Sequence, residues 1–203
     1  MTDFEKPSLL FRIEMDYLKP FLLGPRVYRP YVDSLGLSGA ERVMDYGCGN
    51  GVCLGYFARA LEKGGTAVGL DSSRYMVEKA KKRLAAFQNV RIVHGDAMSS
   101  SFDPESFDLV SMVHVLHDIP RKKRSGVLAG LAKLLRYGGR MSLLEPTSPR
   151  HGIAPEEITE LLSGAGFSVT KMTKEGRRVR VTAAKSGAEA SLEGQQQSGA
   201  LYP

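Results

Sequence analysis

The stretch Val43 to Gly51, VMDYGCGNG, sets three glycines at alternate positions directly behind an apolar β-type lead-in and an acidic residue. Glycine tolerates positive φ and lets a ligand come close to the backbone, so Gly47, Gly49 and Gly51 predict a tight strand-to-helix turn. The helix that follows aims its N-terminus at whatever the turn surrounds. A dinucleotide fingerprint beginning at Gly47 and Gly49 requires a small residue at position 52, and Val52 stands there. The loop therefore reads as a nucleotide-like site that is not built for a pyrophosphate, and an NAD-dependent oxidoreductase is disfavoured.

The chain after this loop alternates strand and helix patterns. Strand-like Arg42 to Tyr46 leads into the loop, and Val52 to Lys63 is apolar at helical spacing until Gly64-Gly65 stops it. A strand over Ala67 to Leu70 ends in Asp71, twenty positions past Gly51, where an acid can accept from ribose hydroxyls. A helix over Ser73 to Phe87 precedes a strand over Val90 to Val93, which runs into Asp96-Ala97. Phe107 to Val115, FDLVSMVHV, is nearly continuous in β-type residues, as expected of a central strand covered on both faces. Leu116-His117-Asp118-Ile119-Pro120 follows, then a helix to Arg136 closed by Gly138-Gly139. A strand over Arg140 to Leu144 ends in Glu145-Pro146. A helix over Pro155 to Ala165 and two strands, Phe167 to Lys171 and Val179 to Ala184, form the close. This order predicts a doubly wound α/β fold with a mostly parallel seven-stranded sheet, a terminal antiparallel β-hairpin, and a ligand at the carboxyl ends of the strands.

A chain of 203 residues accommodates one such domain, expected over residues 30–185. Residues 1–29 carry many apolar side chains around Pro20 and are expected to form a helical extension or lid, closed at Gly24-Pro25. Residues 186–203 are small and polar, and are expected to be a disordered tail. Cys48 and Cys53 suit neither a disulfide framework nor a four-ligand zinc site, so they read as reduced packing residues, and no metal is expected. No segment approaches the roughly 20 apolar residues of a membrane span. A start containing Asp3 and Glu5 lacks the basic opening of a signal peptide, which predicts a cytoplasmic protein. The net charge of +6 admits an acidic or nucleic-acid partner without requiring one.

The D-x-G-x-G-x-G spacing of Asp45, Gly47, Gly49 and Gly51 resembles motif I of the class I S-adenosylmethionine-dependent methyltransferases. The physics agrees, because that cofactor carries an ammonium and a sulfonium but no phosphate, so Asp45 is useful where a pyrophosphate site would find it repulsive. The resemblance implies that Asp45, Gly47, Cys48, Gly49 and Gly51 hold the cofactor together with Asp71 and Ser72 at the ribose, Asp96 and Ala97 at the adenine, and Met112 and Val113 beside the methionine. The His117-Asp118 pair resembles the catalytic-base motif of small-molecule O-methyltransferases, in which a glutamate at the position of Glu145 orients the histidine. His114 is given no role. The expected activity is methyl transfer to a small molecule, with His117 as base. Two alternatives stay open: an RNA methyltransferase using the basic run Arg121 to Arg124, and a cofactor-binding subunit without chemistry.

Overall fold

The computed structural model describes residues 24–96, 102–149 and 151–186. Residues 1–23 of the expected helical extension or lid (1–29), the tail beyond Ser186, and Ala97 lie outside them. Strands β1 (Arg42–Tyr46), β2 (Thr66–Asp71), β3 (Val90–His94), β4 (Phe107–Val113), β5 (Leu135–Ser148), β7 (Phe167–Glu175) and β8 (Arg178–Lys185) line up in the order 3-2-1-4-5-8-7. The first five are parallel neighbours, and β8 is antiparallel to both β5 and β7. A two-residue strand, β6 (His151–Gly152), folds back on the end of β5 and brings the sheet to eight strands rather than the expected seven.

Alternation along the central strands sends apolar side chains to both faces, which is what a sheet covered on both sides requires. Val43 of β1 and Leu109 of β4 pack with Tyr31 of α1 (Arg29–Asp33) and with Leu54 and Phe57 of α2 (Val52–Ala60). Met44, Val110 and Met112 face the other way, onto Leu128 and Leu131 of α4 (Arg121–Leu134) and Ile158 and Leu162 of α5 (Pro155–Gly164). Helix α3 (Arg74–Leu84) starts at Ser73, whose side chain accepts from the Met76 amide at 3.3 Å.

Gly24-Pro25 opens a helical turn, Gly24–Tyr28, that runs into α1, and the helix expected before it lies outside the described residues. Further along, the structure departs from the sequence expectations. The helix expected to reach Arg136 stops at Leu134, because Leu135 is drawn into extended pairing with Phe107 of β4. Gly138 (φ +70°) then serves an irregularity in β5, not a helix end. Strand β4 ends at Val113 and not at Val115, because His114 takes φ +58°, a left-handed conformation rare for a residue with a side chain.

Candidate functional site

The glycine loop lies at the carboxyl end of β1, next to the switch point where the chain crosses from β3 back to β4. Its amides at Gly47 and Cys48 both donate to the Leu70 carbonyl, at 2.7 and 3.2 Å. Gly47 has φ +71°, and a Cβ there would stand 2.5 Å from Val115, so both backbone conformation and space demand glycine. Sequence reasoning overlooked Gly69. It sits in the interior of β2, where an added Cβ would meet Leu54 at 2.5 Å and Cys48 at 2.8 Å, so it lets the loop settle onto the sheet. The available signal was a glycine inside a strand pattern.

Asp71 holds this arrangement together. Its carboxylate accepts from the Gly49 amide at 2.7 Å and from the Ser73 amide at 2.9 Å, tying the loop after β1 to the start of α3. A carboxylate offers about four acceptor positions, which suits a side chain shared between loop amides and ligand hydroxyls. Ser72 is exposed at the same rim, and its carbonyl accepts from His94 at 3.0 Å. Asp96 is also exposed, just beyond β3. Arg83 of α3 donates to the Asn50 carbonyl at 2.9 Å and braces the loop.

Asp45 is 1% exposed and lies opposite Ser111 in the β1–β4 ladder. One carboxylate oxygen is hydrogen-bonded to Ser111 and the other, Oδ2, has no hydrogen-bond partner. Burial, followed by the charge of Asp71, pushes its pKa up to about 7 against the bond from Ser111. Ser111 in turn exchanges a 3.0 Å hydrogen bond with Tyr31, whose hydroxyl also lies 3.2 Å from the Ser142 carbonyl. A buried carboxylate with an orphaned oxygen is a fitting partner for a cationic group such as the ammonium of an amino-acid moiety. Cys48 and Cys53 are free and buried, and burial with the nearby Asp45 charge pushes both thiols up, which makes them poor metal ligands. Among the described residues no cluster of His, Cys, Asp and Glu could hold a metal ion. Met112 spends its side chain in the core, while Val113 is half-buried at the strand end.

Across the switch point, Glu145 and His117 meet. Glu145 is fully buried and accepts from the amides of Val115 (3.0 Å), Leu116 (2.8 Å) and His117 (3.4 Å) and from His117 Nδ1 at 2.6 Å. One carboxylate thus shapes the 3-10 turn Leu116–Asp118 and orients the imidazole. With Nδ1 donating to Glu145, Nε2 is the nitrogen left to accept a proton. Burial lowers the His117 pKa, but the hydrogen bond and charge of Glu145, with Asp118 beyond, outweigh it and leave it raised above 6.5. From the other side Arg124 donates to the carbonyls of His117 and Ile119, both at 3.0 Å, and pairs with Glu157 at 2.8 Å. Of the basic run, Arg124 is therefore committed inward, and Arg121, Lys122 and Lys123 remain exposed.

His117 opens onto a cleft of about 850 Å³ between the ends of β4 and β5 and the β7–β8 turn. His114, given no role from the sequence, also lines it. Its ring is tilted against Tyr28 at 6.3 Å, and its left-handed backbone is the kind of strain that clusters at functional sites. His151 and the Arg177-Arg178 pair complete the polar wall.

Residues 43–139 match the model of a methyltransferase domain. The chain is 31% identical over 125 residues to the demethylmenaquinone methyltransferase of Staphylococcus epidermidis, which covers 61% of this chain and 51% of that protein. It thus spans about half the length of the curated relatives it matches. Its fold is similar to that of a SAM-dependent methyltransferase from Aquifex aeolicus, with TM-score 0.73 and 19% identity, over 85% of this chain and 97% of that one. It is also similar to the Burkholderia thailandensis 1,6-didemethyltoxoflavin-N1-methyltransferase, with TM-score 0.70 and 20% identity, over 87% and 86%, in a structure holding 1,6-didemethyltoxoflavin and S-adenosylhomocysteine. Residues 43–139 thus carry a methyltransferase domain, and the glycine loop and 3-2-1-4-5-8-7 sheet around it have the fold of the class I S-adenosylmethionine-dependent methyltransferases.

Proposed function

We propose that the protein transfers a methyl group from S-adenosylmethionine to a nucleophilic O–H or N–H of a small molecule, with His117 as the general base. The observation that carries this reading is the 2.6 Å contact of His117 Nδ1 with a buried carboxylate beside an open cleft. When bound, S-adenosylmethionine supplies an electrophilic methyl on its sulfonium. The chain's own residues align and deprotonate. Asp45 receives the ammonium, Asp71 the ribose, and the positive-φ glycines let the backbone approach. His117 Nε2 takes the proton from the acceptor as its oxygen or nitrogen gains the methyl, and Glu145 stabilises the imidazolium that forms. Alignment of nucleophile and methyl carries much of the remaining acceleration. The demethylmenaquinone methyltransferases and the toxoflavin enzyme are named for small-molecule acceptors, which favours that class over RNA. So does the commitment of Arg124 to internal partners.

Calorimetric titration with S-adenosylhomocysteine and with NADH tests the cofactor reading. S-adenosylhomocysteine is expected to bind and NADH not to, and Asp71→Ala is expected to weaken the former by about 1.5–3 kcal/mol, the worth of hydrogen bonds to a charged group. The reverse preference would overturn the reading. A labelled-methyl assay on pooled small metabolites and total RNA then separates the acceptor classes, and label in neither identifies a subunit without chemistry.

Asp45 adds a pH signature. Because its pKa stands near 7 in the free protein, an ammonium-bearing ligand must drive its ionisation below that pH. S-adenosylhomocysteine affinity is therefore expected to fall by up to about tenfold per pH unit below 7 and to level off above it. Asp45→Asn should bind more weakly and without this dependence. An identical slope in wild type and variant would remove Asp45 from ligand contact, leaving the histidines around the site to explain it.

A further inference from the structure

Arg178 opens β8 directly opposite Pro146 of β5, one residue past Glu145, and lines the same cleft as His117. Side chains two apart on a strand share a face, so Arg178 and Arg180 point to the same side of the sheet. Their circumstances differ. Arg180 is tied to Glu175 at 2.5 Å and lies 5.8 Å from the Tyr31 ring centroid. Arg178 is half-buried, and among the described residues its guanidinium has no hydrogen bond and no ion pair. A guanidinium kept partly out of water without a partner is costly, and its planar fork suits a carboxylate. The acids of the cleft do not neutralise it: Glu175 is engaged by Arg180, and Asp118 stands 3.5 Å from His117 Nε2. Tyr28 couples electrostatically both to Asp45 at the cofactor end and to Arg178. Tyr28 is also tilted against His114, which lines the cleft together with Arg178 and His117.

We infer that the acceptor is a hydroxylated carboxylic acid, whose carboxylate Arg178 holds while its O–H meets His117. This rests on the methyltransferase reading above. The O–H bond breaks with its proton passing to His117 Nε2, the methyl–sulfur bond breaks, and the O–methyl bond forms, leaving the carboxylate unchanged. Binding the anion at one wall fixes which hydroxyl reaches the base, so Arg178 is a specificity residue.

The test is calorimetric titration of the S-adenosylhomocysteine-saturated full chain with 4-hydroxybenzoate and with its uncharged analogue 4-hydroxybenzamide. The expected result is at least tenfold tighter binding of the carboxylate, a preference that Arg178→Met abolishes and Arg178→Lys keeps in part. Equal or undetectable binding of the two probes, or a preference that survives in Arg178→Met, would overturn the inference. Unchanged S-adenosylhomocysteine affinity in Arg178→Met reports that the variant is folded. Failure of the wild-type protein to bind S-adenosylhomocysteine at all would refute the methyltransferase reading instead.

Discussion

His117→Ala is expected to lower kcat by about 10²- to 10⁴-fold, the usual worth of a positioned general base, while leaving S-adenosylhomocysteine affinity unchanged. The split follows from geometry: His117 belongs to the β4–β5 side of the switch point, and the glycine loop with Asp45 and Asp71 belongs to the other. The pH profile carries the same information. A base must be neutral to accept a proton, and the raised His117 pKa means that kcat increases with pH through a value above the ordinary 6.5. Replacing Glu145 by Gln removes the charge that raises it, so the acidic limb should move to lower pH. Full activity in His117→Ala would reject the base, and an unmoved limb in Glu145→Gln would detach Glu145 from the imidazole.

The second large effect is on folding. Glu145→Ala deprives three backbone amides and the His117 ring of their shared acceptor in a fully buried place. Buried donors left unpaired cost about 1–3 kcal/mol each where water cannot reach them. The loss measured by urea unfolding should be about 3–5 kcal/mol, as for breaking a buried pair from one side. Set against a typical total of roughly 5–15 kcal/mol, that is a large fraction. Glu145→Gln should lose less, because its amide oxygen still accepts from the Val115 and Leu116 amides. The sign with pH is also determined. The folded-state pKa of His117 is raised, so its share of the stabilisation is fully present below the unfolded pKa and is lost as pH rises through the folded value. The penalty of Glu145→Ala should therefore be greater at acidic than at alkaline pH. Equal stability of wild type and Glu145→Ala would show that the turn does not depend on this carboxylate.

The two effects separate what Glu145 does. The resemblance gives Glu145 the task of orienting the histidine, and the structure adds a second, since Oε1 serves the Val115 and Leu116 amides while Oε2 serves the His117 amide and ring. A residue used in both ways couples the shape of the β4–α4 connection to the basicity of the imidazole.

What the sequence determined by itself is the local framework. Glycines at 47, 49 and 51 record positive φ angles, the alternation of apolar residues records which strands are covered on both faces, and acids at 45, 71 and 96 stand at three adjacent strand ends. Each is a property of a few neighbouring residues, so it can be read without knowing the fold. Only the tertiary structure decided where distant segments converge. Tyr31 meets Ser111 and Ser142 across 80 and more positions, Arg124 turns inward onto the His117 carbonyl, and Gly69 is needed because the loop after β1 lies on β2. His114 reads as an ordinary strand residue until the chain turns there to let Glu145 cap the next three amides. Arg178 reads as one more charge on a basic hairpin until antiparallel pairing with β5 carries it to the rim that His117 shares. Such contacts depend on strand order and register, which a short sequence pattern does not encode.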